Sequence, residues 1–356
     1  MELPFSKSDA VFNEGPLQDL LTFNDGSPVV SSEDWRRRRK EIYDTIIPLE
    51  YGGMPPALEP EKTTIDIVST SSPRAKSLFG VPKTLKYNIE VSIAGGLEPF
   101  RFNMKLWLPK SETPVPVIVT GDDCWEFITE EVGNDVVSRG FALVAFDRCF
   151  FARDRKDARD CGIYRAFPGE YGAVSAWAWG YHRVYDALLR IPEIDVTRMM
   201  ITGHSRGGKA AQLAAATDER IALVADNNSG CGGFGLHRLR GFHSEAISNI
   251  TSIFPFWFGK EFASYSHRES ELPFDQHFLS ALVAPRGLRF QIAFADTWAN
   301  GVGACENYRE TMKVYKLLGA EENFSIAFRE GPHNHTPADW NHSLDFAQAF
   351  FERNGK

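Results

Sequence analysis

One serine is flanked closely by glycine in Gly203-His204-Ser205-Arg206-Gly207, where an apolar run, "RMMITG", gives way to an alanine-rich one, "KAAQLAAA". The first run reads as a strand by composition and the second as a helix by propensity. A strand-to-helix turn this tight needs small flanking residues, because the serine backbone is strained and its hydroxyl points away from the sheet. Such a turn mounts a nucleophile, Ser205; the competing reading is a glycine-rich turn capped by a serine. The amides and positive dipole end of the following helix suit a developing oxyanion. Arg206 supplies the amide after the nucleophile, and its guanidinium can reinforce the same charge. Lys209 lies one helical turn beyond Ser205 and so shares its side. A cation there fits a polar, hydroxyl-rich or acidic ligand, or else a surface lysine with a buried stem.

A serine nucleophile needs a base, and the base needs an orienting acid. In a strand–helix architecture the chain order is serine, acid, histidine. Of the nine histidines, His237, His243, His267, His277, His333, His335 and His342 follow Ser205. The last apolar run, "NFSIAFREG", ends just before Pro332-His333-Asn334-His335. His333 comes first, after the tighter turn, and is the expected base, with His335 as the alternative. As a metal site this H-x-H pair lacks a third ligand at usable spacing. Asp296 closes the run "RFQIAFAD" between serine and histidine and is the expected acid; Asp226, at the end of "RIALVAD", is the alternative. Asp339 in "TPADW" reads as a helix cap.

These residues sit at the ends of elements that must hold them. From residue 116 the chain alternates short apolar runs with helix-period segments such as "AVSAWAWGYHRVYDALLRI", the pattern of a mostly parallel sheet covered on both faces. In such sheets chemistry gathers at the C-terminal strand ends. Upstream, "TTIDIVST", "TLKYNIEVSI" and "FRFNMKLWLP" alternate as three antiparallel strands. Residues 1–60 read as a loop-rich extension that wraps the core, with one helix near 33–45, and residues 61–356 as a single catalytic domain. The basic run Arg36–Lys40 reads as the solvated face of a short helix. The segment "FPFWF" reads as ordinary core.

The 356 residues carry 43% hydrophobic and 13% aromatic side chains, enough for a sizeable core. A net charge of −8 disfavours nucleic acid and anionic membrane as partners. No apolar stretch approaches membrane-spanning length. Five scattered cysteines without metal spacing fit a reduced compartment and leave a disulfide or two open. The polar start of the sequence reads as having no signal peptide, so the chain is cytoplasmic as it stands, or secreted or periplasmic if a leader was removed.

The segments "DGSPVVSSEDWRRRRKEI", "YGGMPP", "AWAWGYHRVYDAL", "GHSRGGKAAQLAAATDERIALVADNNSGCGG", "LPFDQHFLSALVAPRGL", "ADTWAN" and "GPHNHTPADW" carry a resemblance over nearly the whole chain. It resembles the glucuronoyl esterases, carbohydrate esterase family fifteen, and their bacterial branch in particular. The resemblance implies an α/β-hydrolase fold: a mostly parallel sheet between helical layers, with an N-terminal wrap-around segment. It implies a serine esterase that cleaves esters of 4-O-methyl-glucuronic acid, as in lignin–xylan cross-links, through an acyl-enzyme and with no metal or organic cofactor. The implied partner is a small or oligosaccharide uronate ester bound by a monomer. Ser205 matches the nucleophile, His333 the base, Arg206 the oxyanion residue and Lys209 the lysine that holds sugar hydroxyls. Trp298 matches a tryptophan lining the sugar site, and Glu245 a glutamate that bonds the sugar. One departure stands out. Many members place the acid as a glutamate just before the "SG" pair, where this chain has Asn228; others use an aspartate after the next strand, as Asp296 would. The rival readings are a broader carbohydrate or acetyl esterase on the same triad, and a non-catalytic sugar-acid-binding scaffold.

Overall fold

The apolar runs pair side by side as the alternation predicts. The computed structural model describes residues 3–71, 84–125 and 128–355. Its main sheet contains β1 (Thr63–Ser71), β2 (Thr84–Ile93), β3 (Phe100–Pro109), β4 (Val115–Thr120), β5 (Ala142–Phe146), β6 (Ile194–His204), β7 (Leu223–Asn227), β8 (Gly287–Ala293) and β9 (Phe324–Arg329). Their spatial order is β9-β8-β7-β6-β4-β5-β3-β2-β1. From β9 across to β5 every pair is parallel, and β5, β3, β2 and β1 join antiparallel. Every residue of β5 and β7 is buried, which explains their unbroken apolar character. In β3 full burial falls on every other residue from Phe100 to Leu108, as expected of an antiparallel strand.

Helices α1 (Ser32–Tyr51), α2 (Glu130–Ser138), α3 (Ala173–Leu188), α4 (Arg206–Thr217), α5 (Gly301–Leu317) and α6 (Pro337–Asn354) accompany the sheet. Two matter most for the site. All residues of α3 are buried, so the helix has no solvent-facing side and is sandwiched, here against α4. Its Tyr181 hydroxyl accepts the Gly121 amide at 2.9 Å and donates to the Thr202 carbonyl at 3.0 Å. One side chain thereby fastens the ends of β4 and β6 together.

The N-terminal residues lie on this framework. Phe12 and Asn13 pair antiparallel with Arg240 and Leu239, and α1 buries Trp35, Ile42, Ile46, Ile47 and Tyr51. Helix α1 is longer than the stretch predicted near 33–45, and its basic run is only partly solvated. Arg36, Arg37 and Lys40 are exposed, but Arg38 is buried against Glu41 at 2.7 Å. Arg39 reaches the carbonyls of Ala216 at 3.0 Å and Leu282 at 3.2 Å. These two arginines close orphan carbonyls rather than face water. Among the described residues no helix is long and apolar enough to cross a membrane.

Buried polar groups in α3 give the fold a pH dependence. His182 Nε2 lies 3.0 Å from the Ala214 carbonyl of α4, and burial pushes its pKa down to about 4. The unfolded imidazole binds its proton near pH 6.5, so the unfolded chain gains protons first as the pH falls. Stability is therefore lost from about pH 6.5 down to about pH 4, by roughly 2 kcal/mol per such histidine between pH 7 and 5. Urea unfolding at pH 7 and pH 5 should show this loss, reduced by about 2 kcal/mol in His182→Gln, whose amide keeps the donor. An undiminished loss in that variant would assign the pH dependence to other groups.

Candidate active site

Ser205 directly follows β6 and caps α4 with φ 55° and ψ −122°, a left-handed-side backbone that a side-chain-bearing residue adopts only under constraint. Hydrogen bonds hold it from both sides. The Ser205 amide donates to the Asn227 carbonyl at 2.8 Å, and the Lys209 amide donates to the Ser205 carbonyl at 3.0 Å. The His204 amide donates to Asp122 Oδ2 at 2.7 Å. Two of the motif's glycines are close approaches. A Cβ on Gly203 would stand 2.3 Å from the Gly207 carbonyl oxygen, and one on Gly207 would stand 2.0 Å from Asp122 Oδ1. Because the first helical bond starts at Lys209, the amides of residues 206–208 precede the ladder at the positive end of α4.

Asp122 is itself buried and paired with the buried Arg148, whose guanidinium stacks 4.0 Å over Trp125 and 5.3 Å over Trp177. Burial pushes the Asp122 carboxyl up, and the Arg148 charge opposes that push. The elbow therefore rests on a buried ion pair.

His333 follows β9 and is exposed, while Asp296 follows β8 and is buried. His333 Nδ1 lies 2.5 Å from Asp296 Oδ2, and the His333 ring sits 4.3 Å from the ring of His204, next to Ser205. The structure thus brings the expected serine, base and acid to one place. Two backbone bonds splice the loops that carry the acid and the base: the Phe294 amide to the Arg329 carbonyl at 2.9 Å, and the Ala295 amide to the Gly331 carbonyl at 3.1 Å. Arg329 grips Asp339 with Nε at 2.8 Å from both oxygens and donates to the carbonyls of Glu330, Pro332 and Asn334. It holds the histidine loop from inside. Asp339 completes the capping box of α6 with Thr336, as read from "TPADW".

The alternatives separate from this pair. Asp226 accepts from Ser229 Oγ at 2.6 Å, and burial raises its pKa to about 7. It does not serve His333. His335 is buried, stacked 4.9 Å from the Trp340 ring, with its pKa pushed down to about 3 by burial. Asn228 Oδ1 accepts the Ala293 amide at 2.8 Å, and its Nδ2 reaches Asn227 Oδ1 at 3.0 Å and the Asn334 carbonyl at 3.5 Å. The asparagine ties β8 to the histidine loop.

Arg206 pairs with Asp154 at 2.5 Å and lies over Trp257 at 4.6 Å and Phe254 at 4.9 Å. Phe254 and Trp257 stack at 3.9 Å, and Trp257 Nε1 donates to Asp154 at 2.8 Å. "FPFWF" is therefore only partly ordinary core: Trp257 and Phe258 are buried, but Trp257 and half-buried Phe254 form the bed of Arg206. In "CWEF", Trp125 also lies under Arg206, at 5.6 Å, whereas residues 126 and 127 fall outside the described residues. Lys209 is buried, donates to the Ser229 carbonyl and lies 3.5 Å from Glu245 Oε2. The Glu245 amide donates to the Trp298 carbonyl at 3.1 Å, and the carboxylate also feels the Trp298 side chain and His333. Burial raises the Glu245 pKa, against the pull of Lys209. Trp298 is 44% exposed. A half-open tryptophan beside a buried cation–carboxylate pair can receive a ring that carries hydroxyls.

A family model described as "Glucuronyl esterase, fungi" matches residues 91–319. The chain belongs to the glucuronoyl esterase family. It is 31% identical to a 4-O-methyl-glucuronoyl methylesterase of Schizophyllum commune, over 94% of this chain and 81% of that one. A prokaryotic carbohydrate esterase of unidentified organism is 34% identical over 96% of this chain and 91% of its own. The glucuronoyl esterase structure from Solibacter usitatus superposes with a TM-score of 0.85 at 26% identity, covering 96% of this chain and 99% of that chain. In this glucuronoyl esterase chain, sequence reasoning missed Asp122, Arg148, Asp154 and Arg329. The only available signal was position, since each follows or ends an apolar run.

The close approach at Gly207 gives a stability test. Gly207→Ala should lower the unfolding free energy in urea by at least about 2 kcal/mol, because its methyl meets a buried carboxylate. Gly133→Ala, in α2 with open space around it, should be neutral or raise stability by up to about 1 kcal/mol. Equal effects at the two sites would contradict the packing argument.

Proposed function

We propose that the chain hydrolyses esters of glucuronic acid and its 4-O-methyl ether through an acyl-enzyme on Ser205. The observation that carries this reading is the 2.5 Å contact between His333 Nδ1 and Asp296 Oδ2, with the exposed imidazole beside the Ser205 elbow. The substrate assignment is supported by the relatives named 4-O-methyl-glucuronoyl methylesterase and by the polar pocket of Lys209, Glu245 and Trp298.

Ser205 Oγ attacks the ester carbonyl while His333 Nε2 takes its proton. Asp296 holds the imidazole in the tautomer with Nδ1–H and stabilises the imidazolium that forms. The oxyanion is met by amides at the start of α4, with the Arg206 guanidinium, clamped by Asp154, adding positive charge. His333 then gives its proton to the leaving alcohol, and water resolves the acyl-enzyme by the reverse path. Lys209 and Glu245 bind sugar hydroxyls, since the ester carries no charge before cleavage. The product carboxylate is drawn to Lys209, so free glucuronate acts as an inhibitor.

Hydrolysis of methyl and benzyl glucuronate, with acetylated xylose as comparison and Ser205→Ala as blank, tests the reading. The expected result is a kcat/KM for the glucuronate esters at least about 100-fold above that for the acetyl ester, and none with Ser205→Ala. Preference for the acetyl ester would replace the substrate assignment with a broader carbohydrate esterase.

A further inference from the structure

Two thiols that ester hydrolysis does not use are brought together by sheet register. Strands β4 and β5 are parallel neighbours, with Thr120 opposite Ala145. Just beyond their ends Asp122 and Asp147 form an isolated backbone bridge. Each strand then enters a single helical turn, Asp123–Trp125 and Arg148–Phe150. The same offset that pairs Asp122 with Asp147 pairs Cys124 with Cys149. Their sulfurs and an Asp147 carboxylate oxygen lie within 4.8 Å of one another. A rotamer change moves a sulfur far enough to close the gap to an S–S bond of about 2.05 Å.

We propose that Cys124 and Cys149 are a thiol–disulfide pair, opened and closed by exchange with a low-molecular-weight disulfide. Three observations support exchange. Cys149 lines an open cavity of about 460 Å³ that three arginines, Arg101, Arg153 and Arg165, and two acids, Glu98 and Asp147, also line, so a small disulfide can reach it. The Cys149 thiol is held below its ordinary pKa, chiefly by a hydrogen bond from Cys124 and then by the Arg148 charge, which favours the attacking thiolate. The same partnership pushes the Cys124 thiol up, so Cys149 attacks first. A metal fits these donors poorly. Asp147 Oδ1 is already committed to the Cys149 amide at 2.7 Å, and Arg148 Nη1 stands 3.1 Å from Cys124 Sγ, a fixed cation against one of the three donor atoms.

The step balances as follows. Cys149 thiolate attacks one sulfur of the incoming disulfide and expels a thiolate, leaving a mixed disulfide. Cys124 loses its proton and attacks Cys149 Sγ, which expels the second thiolate. The two cysteines are oxidised by two electrons, the small disulfide is reduced to two thiols, and the two protons go to those thiols. The new bond ties the turn bearing Trp125 to the turn bearing Arg148, on which Asp122 and the nucleophile elbow rest.

The folded full-length chain is incubated with oxidised glutathione, its remaining thiols are alkylated after unfolding, and its mass and peptides are read. The expected result is five alkylated cysteines in the reduced chain, and two fewer after oxidation, with one peptide cross-linked between Cys124 and Cys149. In Cys124→Ser and in Cys149→Ser the link is absent, and in Cys124→Ser the remaining Cys149 carries glutathione. The linked form should melt roughly 3–6 °C above the reduced form, a shift that both serine variants lose. Five free thiols after oxidation, a link from Cys149 to Cys161 instead, or a tightly held metal that protects both thiols would overturn the proposal.

Discussion

The backbone of Ser205 is the constraint on which the rest depends. A positive φ at a residue with a side chain persists only when its surroundings over-determine it. Here they do so in layers. Gly203 and Gly207 let strand and helix approach within a contact that a methyl group would prevent. Asp122 fixes the preceding amide, Arg148 balances Asp122, and Tyr181 of the buried helix α3 clasps the two strand ends. The charged pair under the elbow is costly to bury, so its value is in holding one geometry rather than in net stability.

Charge is partitioned around that elbow. Three imidazoles cluster there, those of His204, His333 and His335. Burial, and for His204 its histidine neighbours, pushes two of them down to about 3, so His204 and His335 stay neutral at ordinary pH. The remaining ring, His333, is exposed and is joined to the Asp296 carboxylate. Opposite, Arg206 and Lys209 are each clamped by an acid, Asp154 and Glu245, which keeps two cations in place without letting either collapse onto the nucleophile.

Much of this was legible in the sequence, for physical reasons that differ by element. The parallel strands were visible because double-sided burial demands unbroken apolar runs, and Ser205, Asp296 and His333 were visible because each ends or follows such a run. Asp226 also ends such a run between serine and histidine, so Asp296 was preferred by its position together with the family resemblance, and the contact that separates the two is His333 Nδ1 to Asp296 Oδ2. Side chains that reach across the fold were not visible. Nothing local in "EDWRRRRKEIYD" tells the buried Arg38 from the exposed Arg37, because the difference lies in the acceptors that Leu20 and Asn24 of a preceding loop bring to Arg38 beside Glu41. Arg329 and Asn228 likewise act on the histidine loop through backbone oxygens that no pattern of residue types announces. The reading of "FPFWF" as core agrees with its packing, but the cation that Phe254 and Trp257 carry comes from another element and leaves no mark in the row of aromatics.

The central claim is that the acid of this site is Asp296, after β8, and not a residue in the place now held by Asn228. The kcat of Asp296→Asn on methyl glucuronate tests it most directly, with circular dichroism to confirm an intact fold. The account predicts a fall of about 10³- to 10⁴-fold, because the amide turns the imidazole to the wrong tautomer. A variant that keeps its kcat within about tenfold of the parent would contradict it.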